Sequence, residues 1–171
     1  MKAYVYHGPG RADWQDVQDP GLQDPSDVIV RVDAVTVCGT DLHILKGDVP
    51  DVQPGTVLGH EAVGEVVETG EAVRSVRPGD RVLISCICPC GRCGYCRAAA
   101  YGQCRNGGGW ILGHLINGTQ AEYVRVPSPT TRSTLCPGPS QHARPCCSRT
   151  SCPPRTRWGC STAQCGRATP W

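Results

Sequence analysis

Pro89-Cys90-Gly91-Arg92-Cys93-Gly94-Tyr95-Cys96, followed by Cys104, sets four thiols at the spacing C-x2-C-x2-C-x7-C. The two-residue gaps let successive sulfurs converge on one centre, and Gly91 and Gly94 permit the tight turns between them. Four thiolates at tetrahedral geometry make a closed structural zinc site, which clamps a lobe and performs no chemistry. A disulfide cluster or a set of inert buried thiols is the competing reading, and the spacing favours zinc.

The chain of 171 residues has room for one domain with a proper core and little for a second. The segment from Met1 to Gly8 lacks the apolar run of a signal peptide, and no later stretch approaches a membrane span. A soluble, cytoplasmic protein without a membrane partner is therefore expected. Thirteen cysteines in a small chain suggest a disulfide scaffold, but the count is odd and the spacing is that of metal ligation, which favours a reducing compartment.

Composition changes near Pro127. Residues 1–126 carry all 15 acidic residues against 11 basic ones, whereas residues 127–171 carry six arginines and no acid. Beyond Val126 there is no valine or isoleucine and one leucine, with eight prolines and six irregularly spaced cysteines. Such a segment cannot bury enough apolar surface to offset its chain entropy, so 127–171 is expected to be a disordered tail rich in Pro, Arg and Cys. Its arginines are scattered without aromatic interleaving, which argues against nucleic acid as a partner.

Residues 1–126 read as mainly β. Val28, Val30, Val32 and Ala34 alternate with Ile29, Arg31 and Asp33, and Ala62 to Glu68 repeats the pattern. Met1 to Tyr6, Asp80 to Ser85 and Gln120 to Val126 are further strand candidates. Turn signals fall at Gly8-Pro9-Gly10, Pro54-Gly55 and Pro78-Gly79-Asp80. Short strands at close intervals predict a barrel-like sheet with little helix.

A second constellation lies upstream, in Cys38-Gly39-Thr40-Asp41-Leu42-His43 and Gly59-His60-Glu61. Thiolate, imidazole and carboxylate are all ligands of first-row metals, and zinc held by about three protein groups keeps a position open for substrate. Taken singly, a lone Cys38 is more often a small core residue, and His60 beside Glu61 is more often a loop pair.

These segments, with the start Met1-Lys2-Ala3, Pro78-Gly79-Asp80-Arg81-Val82 and Gly118-Thr119-Gln120-Ala121-Glu122-Tyr123-Val124, resemble the zinc-dependent alcohol dehydrogenases of the medium-chain dehydrogenase/reductase superfamily. The resemblance covers about 126 residues, read as one domain with a structural-zinc lobe at about 86–110. It implies a GroES-like catalytic domain, a partly open β-barrel, with Cys38, His60 and Glu61 as ligands of a catalytic zinc. It implies Thr40 and His43 as a proton relay, and Cys90, Cys93, Cys96 and Cys104 as the structural zinc ligands. The implied reaction takes an alcohol to an aldehyde or ketone, with hydride passing to NAD or NADP on a following Rossmann-type domain. No G-x-G-x-x-G occurs in the chain, and Gly107-Gly108-Gly109 reads as a turn, so no NAD(P) site and no Rossmann domain are expected within it.

The tail also reads as a frameshift. Restoring one base after Pro127 lets Ser128-Pro129-Thr130 become Phe-Ala-Asp. The same operation from Cys146 to Arg157 permits Leu-Leu-Ala-Asp-Val-Leu-Pro-Thr-Ala-Tyr-Glu, which resembles the family segment carrying a further acidic zinc ligand. Without that ligand, the chain is expected to be a truncated and inactive form that holds its catalytic zinc weakly and forms no native-like oligomer. A different class of reading is a non-catalytic, zinc-stabilised binding module with the basic tail as its working arm. Cys86 and Cys88 read chiefly as core or edge thiols, with metal ligation as the alternative, and Trp110 and His114 chiefly as structural loop residues, with substrate contact as the alternative because the family resemblance puts the cleft near this loop.

Overall fold

A computed structural model of the chain describes residues 1–106, 109–127 and 135–137. The frameshift reading and almost all of the tail lie outside these residues. Two antiparallel sheets carry the fold. The first is a hairpin of β1 (Lys2–Gly8) and β2 (Arg11–Asp16), with Lys2 opposite Asp16 and Tyr6 opposite Ala12. The second has five strands: β3 (Val28–Val35), β4 (Ala62–Thr69), β5 (Arg81–Ile84), β6 (Tyr123–Val126) and β7 (Leu135–Pro137), in the order β6-β3-β4-β5-β7. Helix α1 (Gly39–Lys46) lies between β3 and β4, and the one-turn helix α2 (Gly94–Arg97) follows β5.

The hairpin is tied by backbone contacts to the segments that lead into β4 and β6. Tyr4 N donates to Gln120 O at 2.8 Å, Leu58 N to Tyr4 O at 3.0 Å and Tyr6 N to Thr56 O at 2.9 Å. Ala3, Val5, Val57 and Ala121 pack beneath these links. The result is a partly open β-barrel, barrel-like as the strand spacing predicts and open as the family resemblance implies.

Alternation in β4 and β5 follows the sequence pattern. Ala62, Gly64 and Val66 are buried while Val63 and Val67 are exposed, and Val82 and Ile84 are buried while Leu83 is exposed. In β3 the simple period fails: Ile29 is buried alongside Val28 and Val30, and Ala34 is exposed. The β3–β4 register shifts between Ile29 and Val30 and again between Val32 and Ala34, and such bulges redirect the side chains that follow them. The main core gathers Val28, Val30, Val66, Val82, Ile84, Leu112, Val124 and Val126. Strand β7 pairs with β5, Leu135 opposite Ile84, which carries the sheet beyond residue 126, where the sequence reading ended the domain.

One buried ion pair fastens the strand ends. Asp27 is 1% exposed, and its Oδ2 accepts from Arg125 Nη1 on β6 and from the amides of Gln23 and Asp24, each at 3.0 Å. Removing one partner of a buried pair leaves an uncompensated charge and costs several kcal/mol, whereas an exposed pair contributes little. Arg125→Ala is therefore expected to lower unfolding free energy by about 3 kcal/mol. Arg31→Ala, which breaks the exposed 3.0 Å pair to Glu65, should cost about 0.5 kcal/mol. Urea denaturation of the two variants checks the difference, and equal midpoints would contradict it.

Candidate metal centres

The cysteine ladder folds around α2. Cys93 is its N-cap, Cys96 lies within it, and the metal-ligating atoms of Cys90, Cys93, Cys96 and Cys104 all lie within 4.8 Å of one another. The Cys93–Cys96 and Cys90–Cys96 sulfur separations are 3.5 and 3.9 Å. Four sulfurs at ordinary zinc bond lengths in a tetrahedron stand about 3.8 Å apart, so the cage fits that ion. All seven described cysteines outside the β7 segment are free thiols, which removes the disulfide reading for these four.

Backbone amides prepare this cage for anionic sulfur. The amides of Cys90 and Asn106 each lie 3.4 Å from Cys104 Sγ. Hydrogen bonds from the amides of Arg105 and Cys96 bring the Cys93 thiol down to about 6. Cys96 is pushed up to about 12 by burial and by its neighbour Cys93. Packing four sulfurs together without a cation thus forces at least one of them to keep its proton.

The second centre joins segments far apart in sequence. Cys38 ends the loop after β3 as the N-cap of α1, and His60 and Glu61 directly precede β4; the ligand atoms of the three lie within 4.8 Å of one another. Asp41, at position N3 of α1, connects them. Its Oδ2 accepts from Cys38 N at 2.8 Å, and its Oδ1 stands 3.5 Å from His60 Nδ1. The His60 and Asp41 side chains are only 6% and 3% exposed, and that pair of facing atoms has no closer hydrogen-bond partner among the described residues. A carboxylate behind an imidazole fixes the ring so that Nε2 is left for a metal, an arrangement common around zinc. Sulfur, imidazole and carboxylate with a partnered ring therefore fit a zinc ion in an open site.

Electrostatics here run in the same direction. Asp41 raises His60 to about 9 against the opposing effect of burial, with Cys38 adding to the rise. The Thr40 amide and hydroxyl, with His60, lower Cys38. The two shifts favour negative charge on Cys38 and a proton on His60, and a metal would take the place of that proton.

Backbone close approach positions His60. Gly59 has φ +91°, and a Cβ there would come within 2.6 Å of Gln120 Cγ and 2.8 Å of Thr119 Oγ1. Glu61 is held as well, its Oε2 accepting from Thr36 Oγ1 at 2.7 Å.

Other sequence-predicted residues fall as follows. Thr40 Oγ1 lies 3.7 Å from Cys38 Sγ. His43 is three residues further along α1, its side chain 60% exposed and its Nδ1 2.8 Å from Asp48 Oδ2. Trp110 meets His60 edge to face at 6.0 Å and stacks on His114 at 4.3 Å. Cys86 and Cys88 join neither metal cluster, and burial pushes Cys88 up to about 12. Asp41 and Thr36 were not read as functional from sequence. An acidic residue three positions after an N-cap is the signal that could have drawn attention to Asp41.

A partly open β-barrel that carries a four-cysteine cluster and a Cys-His-Glu cluster is the architecture to be placed among known families. The family model of the alcohol dehydrogenase GroES-like domain matches residues 24–136, and the chain belongs to that family. An alcohol dehydrogenase of Cupriavidus necator is 41% identical over 152 residues, covering 80% of this chain and 41% of that protein. Among solved structures, zinc dependent alcohol dehydrogenase 2 from Streptococcus pneumonia, in its apo form, superposes with a TM-score of 0.76 at 51% identity. It covers 82% of this chain, which in turn covers 39% of it. Alcohol dehydrogenase TADH from Thermus sp. ATN1 gives a TM-score of 0.73 at 40% identity, with coverages of 82% and 40%. The chain thus spans about two-fifths of the length of these relatives. No described helix is long and apolar enough to cross a membrane.

Zinc uptake at pH 7 should release protons, because His60 and Cys96 both sit above that pH while metal-free and must lose their protons to bind. Affinity should therefore fall as pH falls from 9 towards 6. Titration calorimetry in buffers of differing ionisation heat checks this, and a buffer-independent heat would contradict it.

Proposed function

We propose that residues 1–126 are the catalytic lobe of a zinc-dependent alcohol dehydrogenase-type oxidoreductase, which takes a small alcohol to an aldehyde or ketone by hydride transfer to NAD(P). The observation that carries this reading is the convergence of Cys38, His60 and Glu61, with Asp41 behind the imidazole. A zinc ion bound there would supply Lewis-acid polarisation, lowering the pKa of a coordinated alcohol so that alkoxide forms near neutral pH.

Each residue of this chain then has a role. Cys38, His60 and Glu61 hold the catalytic metal, and Asp41 orients His60. Thr40 takes the alcohol proton, a role supported by the 3.7 Å between its hydroxyl and Cys38 Sγ. His43, exposed and steadied by Asp48, hands that proton to solvent. Cys90, Cys93, Cys96 and Cys104 bind a structural zinc that keeps their lobe folded. A non-catalytic module would need the ladder alone, so the second cluster weighs towards the dehydrogenase reading.

The hydride acceptor requires a nucleotide-binding unit, and the 171 residues contain no G-x-G-x-x-G. We therefore read these 171 residues by themselves as inactive and without a native-like oligomer, the catalytic metal held weakly by three groups; a cytoplasmic location goes with the reduced thiols. A frameshift after Pro127 accounts for the change in composition there.

The purified 171-residue chain should show no alcohol-dependent NAD(P) reduction. The protein expressed from the gene with one base restored after Pro127 should be active, and Cys38→Ser in it should lower kcat/KM by about 100-fold or more. Activity in the 171-residue chain would overturn its reading as inactive. An inactive restored protein would count against the dehydrogenase reading, and a closed alternate frame would end the frameshift account.

A further inference from the structure

We propose that Thr36 is a positioning residue for the metal ligand Glu61, an assignment that rests on the reading of Cys38, His60 and Glu61 as a metal site. Thr36 follows β3 and stands two residues before Cys38, so it belongs to the same loop that delivers the thiolate. It touches Glu61 twice. Its backbone N–H donates to the Glu61 carbonyl at 3.4 Å, and its hydroxyl donates to Glu61 Oε2 at 2.7 Å. Thr119 Oγ1 approaches the Glu61 carbonyl from the other side at 3.4 Å, so the backbone of this ligand is pinned and its side chain is left to be steered.

The carboxylate has four lone-pair directions and would otherwise rotate freely at the edge of the cluster. A hydroxyl bonded to one oxygen fixes the plane of the group and occupies part of that oxygen's capacity, favouring ligation through the other. In the arrangement with Thr36 bonded, a Glu61 oxygen already lies within 4.8 Å of the ligand atoms of both Cys38 and His60. The Thr36 hydrogen bond therefore selects the ligand-ready orientation, and outer partners of this kind typically change metal affinity by about 10–100-fold. Asp41 orients the imidazole and Thr36 orients the carboxylate.

The test uses the 171-residue chain and zinc alone, titrated in competition with a chromogenic chelator, so that the ladder's tight equivalent and the weaker equivalent are read separately. Thr36→Val is close in shape and removes only the hydroxyl. It should weaken the second equivalent by about tenfold or more while leaving the first unchanged. Thr36→Ser, which keeps the hydroxyl, should retain wild-type affinity, and in a Glu61→Gln background Thr36→Val should add little. Unchanged affinity in Thr36→Val, an equal loss in Thr36→Ser, or a full additional loss in the Glu61→Gln background would each overturn the assignment. A wild-type chain that binds one equivalent only would overturn the metal-site reading itself, and Thr36 with it.

Discussion

Asp41 is the constraint on which the candidate site depends. One oxygen of its carboxylate caps the start of α1 at Cys38 N, and the other faces His60 across 3.5 Å in a buried setting. A buried carboxylate is tolerated only when it is paired, so the sequence commits α1 and the segment before β4 to lie together. The same contact fixes the ring orientation of His60, while the Thr40 amide and hydroxyl, with His60, draw Cys38 towards the thiolate. Burial of Ile44 against Tyr6, Val52 and Leu58 presses α1 onto the sheet and keeps the Asp41 carboxylate away from water. Substituting Asp41 by an apolar residue would leave a helix start without its cap and an imidazole without its partner.

The two candidate metal centres are built on opposite plans. All four ligands of the ladder come from 15 consecutive residues, and a one-turn helix with two amide-to-sulfur contacts shapes the cage locally. The Cys-His-Glu cluster takes its ligands from segments separated by more than 20 residues, joined only once β3 and β4 have paired. A closed cage satisfies its ion fully and serves stability, while a three-group site leaves room for another ligand. Their chemistry divides along the same line.

What could be read from sequence follows this difference. The ladder was legible because its geometry is local, and the strands of β4 and β5 because one face is buried and one is wet. The period of β3 was misleading, since two register shifts redirect Ile29 and Ala34 in ways no binary pattern encodes. β2 carries Asp13, Gln15 and Asp16 on a largely exposed edge, so it has no apolar period to reveal it. Helix α1 was hidden inside a motif whose residues read first as ligands. Asp41 and Thr36 act through hydrogen bonds to residues that only the fold brings near, and the approach of Thr119 and Gln120 to Gly59 is equally non-local. Residues 135–137 lack a strand pattern of their own, and the edge of β5 supplies the partner that orders them.

The central claim is that one folded domain presents a closed thiolate cage and an open Cys-His-Glu site, and that both take zinc. Crystals of the chain grown with zinc, with anomalous diffraction recorded at the zinc absorption edge, test it most directly. The account predicts two peaks, one enclosed by the sulfurs of Cys90, Cys93, Cys96 and Cys104 and one bounded by Cys38, His60 and Glu61. A single peak at the ladder, or a second peak remote from His60, would contradict it.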